Sequence, residues 1–260
     1  MNPILRLLQL HCQLKDYNLG LFKPKFFNKG EKMNTLSLKA RVTNEISKLH
    51  IDDNVRQGLL DFLEKSDFYS APYTAEYEYN YVGGLAEYTL AVIQTLNKLA
   101  ETLTPYKYTE HTLTLVGLVH AFFKINYFEM ATRNKKVQKG YGNQWVEESY
   151  YKVKKAEDRY TAGDCGITSY MVASRFVPMS DEEIMAVIYY GSLESGNIPR
   201  DYYELIKTYP IITLLQTAHF MALSGLVELD VNVNELAELE EECEEPSVDE
   251  SYLIPDEQQI

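Results

Sequence analysis

Residues 109–124 read TEHTLTLVGLVHAFFK. Leucine, valine and phenylalanine fall on every side of a helix drawn through this stretch, and a helix apolar all round belongs at the centre of a fold. It is too short to span a bilayer, which takes about 20 apolar residues. Working outward, LAEYTLAVIQTLNKLAETL (85–103) sets Leu85, Leu90, Val92, Ile93, Leu96 and Leu99 on one apolar stripe, after Gly83-Gly84 and before Pro105. In 33–50, Leu36, Leu38, Val42, Ile46 and Leu49 fall near helical spacing, and Asp53 is placed to cap a helix through Lys65. Further helices are expected over 164–176, over 181–190, where Ser180 and Glu183 make a capping box, and over 210–226. Residues 68–82 hold Pro72 and several tyrosines and read as an extended surface segment. Residues 126–162 are polar and rich in Lys and Tyr, with Gly140-Tyr141-Gly142-Asn143 as a turn, the pattern of a β-hairpin inserted between helices. The expected fold is mainly α, a helical bundle with one small inserted hairpin.

The 260 residues are 45% hydrophobic and 24% charged, ordinary values for a globular chain with room for a sizeable core. No run of 18 apolar residues occurs, which argues against a membrane span. Three widely spaced cysteines, Cys12, Cys165 and Cys243, exclude a disulfide framework and a CxxC zinc ribbon. The net charge of −13 argues against duplex nucleic acid as a partner. Twenty-one tyrosines imply a tyrosine-rich surface or cleft. No Gly-rich phosphate loop, GxSxG elbow or internal repeat is present. With no clear secretory signal, a cytoplasmic location is the expectation.

The charge is unevenly placed. Residues 235–260 hold eleven acids and no base, and removing those eleven from the chain's −13 leaves −2 on the other 234 residues. Such a like-charge block self-repels and predicts a disordered acidic tail, from about Glu240. Its apolar island, Tyr252-Leu253-Ile254-Pro255, reads as a short docking segment for a protein partner. At the other end, 1–32 carries six bases against two acids, and Met33 follows. Lys29-Gly30-Glu31-Lys32 can be encoded by a purine-rich ribosome-binding sequence before a start codon at Met33. Residues 1–32 are therefore expected to be a translated leader or flexible extension, with 33–230 the helical domain, 126–162 its inserted hairpin and 235–260 the tail.

Four segments, in order, resemble the HD-domain phosphohydrolase superfamily in its compact prophage-type branch. FYSAPYTAEYEYNYVGGLAEYTLAV (68–92) is similar to that branch's aromatic-S/T-A-P entry and GGLxEH helix start. LVGLVHAFFKINYFE (115–129) resembles its LLHDxxKxxxY helix. TAGDCGITSYMVASRFVPMSDEEIMAVIYYGS (161–192) resembles GHGxxS followed by LTxEExxAIxxHMG, and YPIITLLQTAHFMALSG (209–225) resembles the final helix with TADxxA. The resemblance covers roughly 60–226 and implies a helical fold and a nucleotide or cyclic-nucleotide ligand. It also implies a phage or mobile-element origin.

That family's chemistry needs His and Asp ligands around one or two divalent metals, which lower the pKa of a bound water that attacks phosphorus. Here the ligand positions depart from the pattern one by one. The GGLxEH histidine is Tyr88, the His-Asp pair is His120-Ala121, the GHG histidine is Cys165, and the HMG histidine is Tyr190. The distal aspartate is His219, and an upstream histidine is Glu78. Lys124, which the resemblance places near a phosphate, is retained. Alanine is no ligand and a neutral phenol is a poor one, so the resemblance implies a degenerate HD domain. It would have no catalytic residues and no resident cofactor, and would bind a nucleotide-like small molecule or a protein partner.

Two alternatives stand beside that reading. On that resemblance His120, Cys165 and His219 lie on one wall with Asp164, Glu87 and Glu78, and the His/His/Cys set would hold a divalent metal tetrahedrally and keep phosphohydrolase activity on nucleotides. Otherwise the chain is a structural or interaction module. On the plainer reading His120 is a hydrogen-bonded core histidine, Cys165 a small buried hydrophobe, and Tyr88 and Tyr190 fill the volume a metal cluster would leave; alternatively these phenols stack on a nucleobase. In the hairpin, Lys135, Lys136, Lys139, Lys152, Lys154 and Lys155 alternate with Tyr141, Trp145, Tyr150 and Tyr151. That pattern suits an exposed hairpin and also stacking on single-stranded nucleic acid; a further reading folds the acidic tail onto it.

Overall fold

The computed structural model describes residues 35–103, 105–139, 142–160, 163–227 and 229. The chain is mainly helical with one two-stranded antiparallel hairpin. In order run α1 (Thr35–Ser47), α2 (Asp53–Lys65), α3 (Gly84–Leu103), α4 (Glu110–Val119), β1 (Phe128–Lys139), β2 (Gly142–Val153), α5 (Cys165–Ala173), α6 (Asp181–Tyr189), α7 (Ser192–Ser195), α8 (Tyr202–Thr208) and α9 (Ile211–Leu223). Short 3-10 turns occupy Phe122–Lys124 and Ala156–Asp158. No described helix is long and apolar enough to cross a membrane. The expected leader, the acidic tail and the Tyr252–Pro255 segment lie outside the described residues.

The stretch that anchors the sequence reading is the centre of the fold. Every residue of α4 from Leu113 to Val119 is buried, and α3 packs against both α4 and α9. Leu85, Leu96, Leu115, Leu118, Ile211 and Leu215 form the heart of this core, each essentially without exposed surface. Burying an aliphatic side chain of this size contributes about 1.5–3 kcal/mol. The helix nevertheless ends sooner than its pattern suggests. It stops at Val119, with His120 as C-cap, and the chain tightens into the 3-10 turn at Phe122–Lys124. Phe122 thereby stays in the core while Lys124 reaches the protein's edge.

The capping box forms as predicted. The Ser180 amide donates to Glu183 Oε2 at 2.8 Å, and the Glu183 amide to Ser180 Oγ at 3.4 Å. Glu183 is also buried and accepts from Thr112 Oγ1 at 3.0 Å, so one carboxylate both starts α6 and ties it to α4. Nearby, the His50 amide donates to His111 Nδ1 at 3.0 Å and the two rings stack, a structural role for both.

Three expectations need correction. The N-cap of α2 is Asp52; Asp53 is the first helical residue and pairs with Arg56 instead. Residues 68–82 are not an extended surface segment: they turn repeatedly, and Phe68, Tyr69, Tyr73 and Tyr79 are buried. Tyr69, Tyr73 and Tyr79 turn their rings into the core, while Tyr77 between them stays exposed. Gly142 and Asn143, expected in the turn, instead pair in β2 with Lys139 and Gln138. The short helices α7 and α8 carry too few apolar repeats to stand out in the sequence.

Gly166 sets how closely α5 approaches α6. A Cβ there would lie 2.2 Å from the Ile188 carbonyl oxygen and 2.6 Å from that of Val187. Backbone cannot yield as a side chain does. Gly166→Ala is therefore expected to lower unfolding stability by about 1–3 kcal/mol, read as a lower urea midpoint.

Candidate functional site

Three helices bring together the histidines and tyrosine singled out above. Tyr88 comes from the second turn of α3, His120 from the end of α4 and His219 from α9. All three are buried, as are Ala121 and Tyr190. His120 Nδ1 lies 2.8 Å from the Gly117 carbonyl oxygen, which only accepts, so Nδ1 carries a proton and Nε2 a lone pair. The Tyr88 hydroxyl, 2.9 Å from His120 Nε2, must donate to it. Its hydrogen thus committed, the same oxygen accepts from His219 Nδ1 at 2.5 Å. His219 Nε2 in turn lies 3.0 Å from Glu194 Oε2, contributed by α7.

This chain runs between two acceptors, the Gly117 carbonyl and the Glu194 carboxylate, through four hydrogen bonds. At the inner end, burial, with His219 beside it, pushes the His120 imidazole down to about 3, so it stays neutral. Burial holds the phenols of Tyr73, Tyr88 and Tyr190 well above their ordinary range.

Aromatic packing fills the surrounding volume. Tyr73, from the turn-rich segment, stacks on Tyr88 at 3.6 Å between centroids, and the Tyr190 ring meets those of His120 and His219 edge-on at 5.1 and 5.3 Å. The His120 carbonyl, freed by the end of α4, accepts from Ser169 Oγ at 2.6 Å and from Tyr190 at 3.3 Å.

The donor set does not fit a divalent metal. Each histidine spends its inward nitrogen on a neutral phenol, and among the described residues no group of three His, Cys, Asp or Glu is arranged to hold an ion. Cys165 departs from the buried-hydrophobe expectation: it is the first residue of α5 and is exposed. Asp164 caps that helix, its Oδ1 accepting from the Gly166 amide at 3.1 Å. Glu78 is exposed on the turn-rich segment.

Lys124 borders this cluster. Its ammonium lies 4.6–5.1 Å from the ring centroids of Tyr127, Phe123, Phe128 and Tyr73, and burial lowers its pKa to about 8. It makes no hydrogen bond or ion pair among the described residues. Arg159 stacks its guanidinium on the Tyr127 ring at 4.6 Å. A separate groove of about 1040 Å³ lies beside α1, α3 and the loop before α4, lined by Arg41, Glu45, Lys48, Asn97 and Lys98, none of them anticipated.

Tyr73 and Glu194 complete the site and are absent from the sequence reading. Tyr73 could have been noticed in the aromatic entry FYSAPY, whereas Glu194 stands in a four-residue helix without any local signal. No family model, curated protein or solved structure matches the chain.

Removing the bridging hydroxyl tests the network. Tyr88→Phe leaves His120 Nε2 and His219 Nδ1 buried without their partner, and is expected to cost about 1–3 kcal/mol in urea unfolding at pH 7. His120 also makes stability fall as acid is added. The unfolded chain protonates this residue near its ordinary value of 6.5 while the native state stays neutral down to about 3, so unfolding gains a proton across that window. Between pH 7 and pH 5 this group alone removes about 2 kcal/mol, and His120→Gln is expected to flatten that limb.

Proposed function

We propose that this protein is a degenerate HD-domain protein, catalytically silent as a metal-dependent phosphohydrolase, that acts by binding. The observation supporting this reading is the Tyr88 hydroxyl set between His120 and His219. A neutral phenol occupies the point where those histidines converge, and Ala121 supplies no carboxylate beside it. Water activation needs a metal held with an open position, and these groups provide neither the charge nor the vacancy. The alternative of a rearranged His120–Cys165–His219 metal site is supported less well, since both histidines already have partners and Cys165 is exposed.

For the ligand, Lys124 favours an anionic, nucleotide-like molecule over an uncharged one. An ammonium ringed by aromatic faces, with no carboxylate bonded to it, has its charge available for a phosphate. With the interior packed by Tyr73, Tyr88 and Tyr190, such a ligand would meet the protein at its edge, by Lys124 and Arg159. A protein partner is the other occupant of this reading.

Metal content measured by plasma mass spectrometry tests the assignment from both sides. The untagged wild-type chain is expected to carry well under one metal per chain. Tyr88→His combined with Ala121→Asp returns two family ligand positions and is expected to gain manganese, iron or zinc toward one per chain. Near-stoichiometric metal in the wild type, lost in His120→Ala, would replace the silent reading with the enzymatic one. A folded double variant that stays metal-free would remove the HD frame.

A further inference from the structure

The β1–β2 ribbon has the least interior of any part of the fold. Its strands pair without interruption from Phe128–Val153 to Lys139–Gly142, and no third strand joins them among the described residues. A lone hairpin is marginally stable in water, so a pair of twelve-residue strands with little behind it offers a surface to be covered. Cross-strand pairing sets Met130 beside Tyr151 and Lys136 beside Trp145 on one face. Met130 is 57% exposed and Trp145 66%. Lys136 makes no hydrogen bond or ion pair among the described residues. The opposite face pairs Arg133 and Lys135 with Glu148 at 2.9 and 2.8 Å. From Phe128 to Val153 the ribbon has five bases against three acids, a local +2 in a chain of −13, with Lys152 paired to Glu129 at 3.1 Å.

We propose that this ribbon is the docking surface for the chain's own acidic segment, residues 235–260. The charges are complementary: the ribbon's excess bases meet a segment with eleven acids and no base. The apolar part matches as well, because the island Tyr252-Leu253-Ile254-Pro255 among those acids suits the exposed Met130 and Trp145, with half-buried Tyr151 beside Met130. Reach is ample. Thirty-one residues separate 229 from 260 and span at most about 100 Å, against about 40 Å for the whole ribbon.

Single-stranded nucleic acid is the competing occupant, and the tether decides against it. A segment of the same chain faces the ribbon at an effective concentration on the order of millimolar when its length lets the two meet. A free polyanion must displace that segment and also approach a protein of net −13. Occupied this way, the ribbon is masked until a partner with higher affinity for either face takes its place.

Trp145 is the chain's single tryptophan, so its fluorescence reports on the ribbon alone. Quenching by acrylamide, which is neutral, measures how covered it is in the full-length protein. At low salt the quenching constant is expected to be small, and to rise about two-fold or more as ~0.5 M salt screens the contact. Glu240→Gln, Glu241→Gln, Glu242→Gln, Glu244→Gln and Glu245→Gln together are expected to give the same rise at low salt. Lys135→Glu with Lys136→Glu should do so from the ribbon side. The glutamine variant leaves every described element untouched, so it remains decisive if the ribbon variant fails to fold. A quenching constant unchanged by salt and by the glutamine variant would overturn the proposal. So would equal shielding of Trp145, in the wild-type and glutamine chains, by an oligothymidylate of about twelve nucleotides.

Discussion

The Tyr88 hydroxyl is the contact on which the interior of this protein depends. It accepts from one buried imidazole and donates to another, so α3, α4 and α9 are held at a single oxygen. Two histidines in a core would be a liability alone, since each carries a polar nitrogen that must be paired or cost stability. The phenol pairs both, while Gly117 and Glu194 take the outer nitrogens. The cluster is thus fully satisfied, and its proton order is imposed by an acceptor at either end.

That arrangement leaves neither buried histidine with a free inward nitrogen. Imidazole suits a divalent cation only with its lone pair free and further anionic donors nearby. Here the lone pair of His120 points at a hydroxyl, the position beside it is Ala121, and the ring stack of Tyr73 on Tyr88 closes the space. The Lys124 ammonium lies beside this stack, 5.1 Å from the Tyr73 ring centroid.

Much of the fold is legible in the sequence where local and global demands agree. TEHTLTLVGLVHAFFK is apolar on all sides and is central; Ser180 and Glu183 signal a helix start and make one. Legibility fails where a long-range contact overrides a local cue. The tyrosines of 68–82 look like surface residues because their hydroxyls are polar, yet Tyr73 and Tyr79 turn inward to pack on Tyr88. Cys165 reads as a buried residue from composition, but stands exposed at the start of α5. Asp52 displaces Asp53 as N-cap by one residue, a difference no side-chain preference distinguishes.

By itself the sequence determined the mainly helical class and the inserted hairpin. Each of these follows from the spacing or identity of neighbouring residues, which periodicity and side-chain chemistry make readable. Only the tertiary structure decided that Tyr88 lies between His120 and His219, that Glu194 closes the chain, and that Lys124 is ringed by aromatic faces. Tyr88 and His219 are 131 positions apart. A hydrogen bond across such a separation depends on how three helices pack, and no local pattern records it.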